Sequence, residues 1–268
     1  MQQGKLTIED SIWNLIRMGN GKELLFVFHD FDQSSAYYTS LEPALGHKFT
    51  IIAIDLPGFG LSEWHQKKIN KKTLLVLIER LKLEFKAEKI NIAGIGFGSL
   101  YVMTLLEQRS EWIEKALIIA PLGLKRNSWE TAVLFNFLGK RKIKQAIQNP
   151  EQLERYMKPL LKWYFLRKED LPELDRYIRD VSYSELLNKT FPQHYPLVPE
   201  IQKVKWNIKK WKTALTIYCD EGKPFQLKNA KTLTQKTNTV NLEKFTREQK
   251  MDKSWLMSTI EQHFNPFH

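Results

Sequence analysis

Long apolar runs separated by turn residues dominate the first half of the chain. Three of them are ELLFVFH at 23–29, FTIIAIDL at 49–56 and INIAGI at 90–95. Each run is apolar at nearly every position rather than at every second one, which is typical of strands covered by helices on both sheet faces. We therefore predict three buried β-strands at these positions.

Four further segments have the composition of strands, namely 10–18, 113–120, 213–219 and 238–245. Helical periodicity is clearest in 70–86, where leucine, isoleucine and phenylalanine recur at three- and four-residue steps. The other predicted helices are 34–45, 98–107, 228–236 and 252–264. Strands and helices that alternate at these lengths predict an α/β protein with a doubly wound, mostly parallel sheet.

The alternation stops near Leu124. From there to about residue 210 no segment has a strand pattern, and we predict several helices punctuated by prolines. The aromatic residues of this middle segment are expected mainly to pack against one another. The sequence therefore predicts a core made of residues 1–124 and 209–268 and a helical insertion at 125–208.

Three motifs follow the apolar runs in order: HDF at 29–31, DLPGFGLS at 55–62 and GIGFG at 94–98. Their order and spacing resemble the α/β-hydrolase fold family, in which the third motif is G-x-S-x-G. In that family it forms a strand-to-helix elbow that presents a nucleophilic serine. The resemblance covers nearly the whole chain. It implies the α/β-hydrolase fold, with 125–208 as a helical cap over the active site.

The resemblance also implies positions for a catalytic triad, and none of them holds the required side chain. The nucleophile position is Gly96, which has no side chain to attack a substrate. The acid is expected in the loop after 213–219, where the family pattern falls on Gly222 or Lys223. The general base is expected within 244–250, which contains no histidine.

Other parts of such a site remain. The two backbone N–H groups of the family's oxyanion hole correspond to those of Phe31 and Phe97, and backbone donors do not depend on the side chain. With His29 and Gly96, these residues are the predicted lining of a ligand pocket. Asp30 replaces the glycine usual in this loop, so the loop conformation is expected to differ from the family's.

Four polar residues are candidates to substitute for the missing triad: Asp220 and Glu221 after the strand at 213–219, His29 after the first apolar run, and His65 after the DLPGFGLS turn. Each also has an ordinary interpretation. The carboxylates suit a solvated loop, His29 suits a structural hydrogen bond, and His65 suits a surface loop. The sequence leaves these alternatives open.

Composition narrows the classes of partner. The net charge is +11, but the lysines are scattered among acidic residues without a basic tract, so we predict no nucleic-acid partner. Metal-ligand spacings and the dinucleotide fingerprint are both missing, so we predict no metal and no cofactor. No apolar run approaches the roughly 20 residues of a membrane helix. We expect no membrane partner, and the single cysteine fits a cytoplasmic location.

These patterns support two hypotheses about function. The first is a non-catalytic homologue that binds a small molecule or a protein partner beneath the cap. The second is an enzyme that cleaves a small ester, amide or related substrate with substituted residues. Gly96 argues against a standard serine-hydrolase mechanism, but the sequence does not decide whether the protein is an enzyme.

Overall fold

The computed structural model describes residues 1–122, 176, 180–222, 224–235 and 237–265. The chain forms two compact units, one made of Met1–Leu124 and Pro196–His268 and the other of Lys125–Tyr195. Most of the predicted cap at 125–208, with most of its aromatic residues, lies outside the described residues. The described residues thus belong mainly to the first unit.

The described strands form one eight-stranded sheet with the order β1-β2-β4-β3-β5-β6-β7-β8. The β1/β2 and β2/β4 pairs are antiparallel, and all other neighbours are parallel. The strands are β1 (Gln2–Ile8), β2 (Ser11–Met18), β3 (Glu23–Phe28), β4 (Phe49–Ile54), β5 (Ile90–Ile95), β6 (Ile113–Ile119), β7 (Ala214–Asp220) and β8 (Val240–Phe245). This sheet confirms the predicted α/β class with a mostly parallel sheet.

All seven predicted strands are present, with ends shifted by at most two residues. The sequence did not predict β1, because QQGKLTI is largely exposed and polar at the edge of the sheet. The central strands β3, β4 and β5 are buried along nearly their whole length, as continuous apolar runs require.

The described α-helices are α1 (Glu42–Leu45), α2 (Lys71–Glu84), α3 (Ser99–Arg109), α4 (Val181–His194), α5 (Ile201–Trp211), α6 (Pro224–Thr234), α7 (Arg247–Met251) and α8 (Lys253–Phe264). The predicted helix at 34–45 is a 3₁₀ helix, Ser35–Leu41, that continues into α1. The short helix α7 was not predicted. It lies where the family resemblance implied a loop with a catalytic histidine.

Alternate side chains of each central strand face opposite layers of helices. On β3, Leu25 and Val27 belong to a core cluster that also contains Ile260 of α8. Phe28 points to the other face, where its ring stacks on Tyr101 of α3 at 5.4 Å between centroids. Helices thus cover both faces, which explains why the strands are apolar at successive positions.

The helix α5 is fastened to α3 by one buried carboxylate. Glu107 of α3 pairs with Lys71 through Oε2, and its Oε1 accepts a hydrogen bond from the Glu200 backbone N–H at 3.2 Å. The Asn207 side chain donates to the Glu107 backbone carbonyl. The first compact unit includes Pro196–His268 and therefore contains α5.

A partly buried histidine lies in the closing helix. The His263 ring packs edge-on against Phe264 at 4.7 Å, and within the described part of the chain its Nε2 atom has no hydrogen-bond partner. Burial, with a smaller contribution from the charge of Lys115, lowers the pKa of His263 from 6.5 to about 4. The folded protein therefore holds this histidine neutral in mildly acidic solution.

We predict that His263 makes the fold sensitive to acid. In the unfolded chain the histidine binds a proton below about pH 6.5, whereas in the folded chain it binds one only below about pH 4. The free energy of unfolding is therefore highest above about pH 6.5 and falls as the pH decreases from there to about 4. Between about pH 7 and about pH 5, His263→Gln should lose roughly 2 kcal/mol less unfolding free energy than the wild type. Urea unfolding at both pH values measures this. Equal losses in the two proteins would contradict the assignment.

Candidate functional site

The order of the central strands places two loops together at one edge of the sheet. Because β3 lies between β4 and β5, the chain crosses to opposite sides after β3 and after β4. The carboxyl ends of β3 and β5 are therefore the topological switch point, where open α/β sheets have their binding crevice. The first loop follows β3 and carries His29, Asp30 and Phe31. The second follows β5 and carries Gly96 and Phe97.

The second loop has the sharp turn of a strand-to-helix elbow. Gly96 has a φ of +50°, in the left-handed region that glycine occupies at little cost, and the chain then enters α3 through a single 3₁₀ turn. The buried Ser99 hydroxyl donates to the Gly96 carbonyl at 2.6 Å and accepts from the Leu122 backbone N–H at 2.7 Å. Ser99 thus stabilises the elbow and is not presented as a nucleophile.

The Asp30 carboxylate binds both backbone N–H groups that the sequence assigned to an oxyanion hole. Its Oδ1 atom accepts hydrogen bonds from the Phe31 N–H at 2.7 Å and from the Phe97 N–H at 2.8 Å. The two donors therefore converge on one point, as they would around a substrate oxygen. In this structure the oxygen at that point belongs to the protein's own side chain.

The second carboxylate oxygen of Asp30 forms an ion pair with a lysine. The Lys250 Nζ atom lies 3.6 Å from Asp30 Oδ2, and both side chains are partly exposed, at 31% for Lys250 and 19% for Asp30. Lys250 is in α7, whose first turn is held by a capping box between Thr246 and Gln249. An ammonium group thus comes from the segment where the family resemblance predicted an imidazole.

Both ring nitrogens of His29 are engaged in hydrogen bonds. Its Nε2 accepts from the Leu56 backbone N–H at 3.0 Å, so the Nδ1 atom carries the proton and donates to the Asp30 carbonyl at 2.7 Å. Complete burial lowers the pKa of His29, partly offset by the hydrogen bond to that carbonyl and by the charges of Asp55 and Asp30. His29 is therefore a neutral link between the loops after β3 and β4.

Three phenylalanine rings pack around the same crevice. Phe31, Phe59 and Phe97 contact one another in edge-to-face geometry, with centroids 5.3–5.8 Å apart. Phe59 comes from the DLPGFGLS motif, and its ring also contacts His29 at 5.5 Å. These rings form an apolar cluster beside the Phe31 and Phe97 N–H groups that bind Asp30.

The other sequence candidates make contacts of their own. His65 is exposed, and its backbone N–H donates to the Ser11 hydroxyl beside the β1–β2 turn at 3.4 Å. Asp220 is buried at the end of β7 and accepts from the Gly222 N–H at 2.9 Å, while Glu221 is exposed. The structure thus brings His29, Phe31, Gly96 and Phe97 together around Asp30. The hydrogen bonds of Asp220 and His65 lie within other loops.

Sequence reasoning assigned no role to the buried carboxylate of Asp55. Its Oδ1 accepts from the Ser35 N–H at 2.6 Å, and its Oδ2 accepts from the Asn14 side chain at 2.8 Å and the Leu61 N–H at 2.7 Å. These three hydrogen bonds satisfy both oxygens of the buried carboxylate. Asp55 shapes the loop that carries Phe59, and its place at the start of DLPGFGLS was the available signal.

The described residues contain neither a metal cluster nor a membrane span. No group of three or more His, Cys, Asp or Glu side chains among them has an arrangement that could hold a metal ion. None of the described helices combines the length and the apolar character that a membrane span requires.

Comparison with known proteins agrees with this architecture. A model of the alpha/beta hydrolase fold matches residues 23–242. The soluble epoxide hydrolase of Corynebacterium sp. (strain C12) is 26% identical over 104 residues, which are 39% of this chain and 36% of that enzyme. The aligned stretch thus spans little more than a third of that curated relative.

Several solved structures share the fold. A candidate alpha/beta hydrolase from Nostoc sp PCC 7120 superposes with a TM-score of 0.62 at 17% identity over 98% of both chains. A candidate epoxide hydrolase from Pseudomonas aeruginosa gives 0.60 at 12% identity over 100% of this chain and 97% of that one. An alpha/beta hydrolase from a Medee basin deep-sea metagenome gives 0.61 at 13% identity over 97% of both.

These identities are too low to carry more than the fold. The family model, however, covers most of the chain, and the sheet and its elbow have the arrangement that the three motifs predicted. On these grounds the protein belongs to the α/β-hydrolase fold family.

Proposed function

We propose that this protein is a non-catalytic member of its family that binds a small molecule, or a protein partner, at the crevice beside Asp30. The carboxylate of Asp30, bound to both N–H groups of Phe31 and Phe97, is the observation that carries the proposal. We also propose that segment 125–208 forms a cap over this crevice and that the protein is cytoplasmic, for which its single cysteine is the support.

The Asp30 carboxylate opposes catalysis by competing with a substrate for the same donors. Hydrolysis on this fold needs the two N–H groups to stabilise a developing oxyanion. A substrate oxygen would first have to displace Asp30 Oδ1, at the loss of two hydrogen bonds to a charged group worth about 1.5–3 kcal/mol each. The geometry that assists hydrolysis elsewhere is thus used here for an internal contact.

The same carboxylate also excludes a nucleophile from the elbow. A Cβ atom built on Gly96 would lie 1.9 Å from Asp30 Oδ1, far inside van der Waals contact. A side chain at position 96 and the observed conformation of Asp30 are therefore mutually exclusive. The glycine at position 96 leaves room for the Asp30 carboxylate, and that carboxylate then occupies the Phe31 and Phe97 N–H groups.

His29 and Cys219 do not restore a general base or a thiolate. His29 has no free ring nitrogen to accept a proton, because both nitrogens are hydrogen-bonded. Cys219 is fully buried in β7, and desolvation, with the charge of Asp220, raises the pKa of its thiol to about 12. Neither residue is therefore suited to proton transfer or nucleophilic attack near neutral pH.

A hydrolase with substituted residues is the second candidate function. It is favoured by the partial exposure of the Asp30 carboxylate and by the Lys250 ammonium 3.6 Å from Oδ2. In such an enzyme the Asp30 carboxylate would be the nucleophile that attacks a small electrophilic substrate, such as an ester or amide. The Lys250 ammonium would donate a proton to the leaving group. Covalent labelling and substrate assays separate this enzyme from the binding protein.

We predict that the wild type shows no covalent catalysis. Incubation with a fluorophosphonate probe, and separately with ester, amide and epoxide substrates, should leave the intact mass unchanged and release no product. A purified serine hydrolase serves as the positive control for the probe. An adduct mapped to any side chain, or turnover that Asp30→Asn abolishes, would establish the enzyme instead.

We predict that Asp30→Gly opens an anion site. Without the carboxylate, the Phe31 and Phe97 N–H groups and Lys250 are left without their ligand, and acetate supplies the same chemical group. Acetate should raise the Tm of Asp30→Gly in a concentration-dependent manner, through the stabilisation that binding to the native state confers. Chloride at equal ionic strength is the control. The wild type should not respond, and an equal response from it would refute the internal contact.

We predict that residues 30 and 96 are energetically coupled. Gly96→Ala should cost roughly 2–4 kcal/mol, from the left-handed backbone and the clash with Asp30 together. Adding Asp30→Gly should recover the part that is due to the clash. Gly96→Ser alone should not confer turnover, because acid and base are still missing.

A matched control exists at Gly58, an exposed glycine with a φ of +85°. Gly58→Ala should show the backbone cost of roughly 1–2 kcal/mol alone, with no recovery on adding Asp30→Gly. Urea unfolding of the single and double variants gives both coupling energies. Additive effects at positions 30 and 96 would contradict the mutual exclusion.

A further inference from the structure

The carboxyl-terminal half of α5 exposes two tryptophans beside a lysine. Trp206 is 61% exposed and Trp211 is 43% exposed. The Lys210 ammonium lies 4.8 Å from the ring centroid of Trp206 and 4.9 Å from that of Trp211. Lys210 thus joins the two indoles into one exposed aromatic and basic group, and an exposed group of this kind is more informative than a single exposed apolar residue.

Further lysines surround the indoles. Lys203, Lys209 and Lys210 are exposed on α5, and at 3.6 residues per turn they lie on the same outer side as Trp206. The nearby Glu200 forms an ion pair with Lys203 at 2.8 Å. We call Lys203, Trp206, Lys209, Lys210 and Trp211 the Trp–Lys face. It keeps a net positive charge after the pairing with Glu200 is counted.

The opposite side of the helix accounts for its attachment to the core. Val204 and Ile208 are completely buried, and Asn207 donates to the Glu107 backbone carbonyl. Val204, Ile208 and Asn207, which hold the helix against the core, are therefore not members of the Trp–Lys face.

We propose that the Trp–Lys face adsorbs to the surface of an anionic lipid bilayer. Indole rings favour the boundary between headgroups and acyl chains, and lysines beside them pair with acidic headgroups. A helix surface is convex, so the face suits a broad, flat, negatively charged partner. Opposite charge on the two surfaces is the complementarity that selects the bilayer.

Peripheral contact of this kind goes beyond the binding function assigned to the crevice. It departs from the expectation that the protein has no membrane partner. That expectation came from the lack of a long apolar run, which bears on membrane spanning and not on adsorption to a membrane surface.

Basic surfaces with exposed aromatic rings also occur in proteins that bind single-stranded nucleic acid. The experiment below distinguishes a lipid bilayer from single-stranded nucleic acid as the partner.

The test is co-sedimentation of the full-length protein with vesicles. Phosphatidylcholine vesicles containing phosphatidylserine should bind the wild type at low ionic strength, and high salt should release it. Phosphatidylcholine vesicles alone should bind much less. Trp206→Ala and the pair Lys209→Glu with Lys210→Glu should each lower the partition coefficient, the charge-reversed pair by roughly tenfold or more.

A matched control reverses the same number of charges at another place. Lys67 and Lys68 are both exposed outside α5, so Lys67→Glu with Lys68→Glu changes the net charge equally. This variant should keep most of the binding, and circular dichroism should show that all variants are folded. Binding that falls equally in the control, or that needs no acidic lipid, would overturn the proposal. Tighter binding to single-stranded DNA, lost in the same α5 variants, would overturn it in favour of nucleic acid.

Discussion

The contact between the Asp30 carboxylate and the Phe31 and Phe97 N–H groups organises the centre of this molecule. A sharp elbow between strand and helix leaves backbone donors without partners in the crevice, and buried donors without partners are costly. In a working hydrolase, water and substrate meet this need during turnover. Here a side chain that is always present satisfies the donors, so the elbow is stable without any ligand.

One consequence is that the identities of two distant positions in the sequence are linked. The carboxylate occupies the volume that a Cβ atom on Gly96 would need, with 1.9 Å between Oδ1 and that atom. A vacancy at residue 96 is therefore a physical precondition for the contact. A hydrolase elbow with a serine would force Asp30 into another rotamer and return the donors to solvent or substrate. The missing nucleophile and the aspartate in the β3 loop are then two aspects of one arrangement.

The sequence predicted the features that depend on residues close together in the chain. Continuous apolar runs predicted the buried strands. The resemblance to the α/β-hydrolase family implied that position 96 is a vacant elbow and that Phe31 and Phe97 supply backbone donors. It did not indicate that Asp30 binds them, since the direction of a side chain depends on packing around it. Lys250 reaches Asp30 across more than two hundred residues of sequence, which no local pattern encodes. The edge strand β1 was missed because most of its side chains are polar and exposed, and only its last residues alternate between apolar and polar.

The helix α3 relates the two surfaces assigned here. Its first residue, Ser99, stabilises the elbow through the Gly96 carbonyl, and Glu107 near its other end fastens α5 through the Glu200 N–H. A single rigid element thus fixes the position of both the crevice and the Trp–Lys face. Fixed position alone does not couple two sites, because coupling requires an element with two discrete arrangements that both ligands bias. Residues 99–107 of α3 are all buried, so any shift of this helix would disturb the packing around it. Ligand binding at Asp30 and adsorption through α5 are therefore expected to be energetically independent.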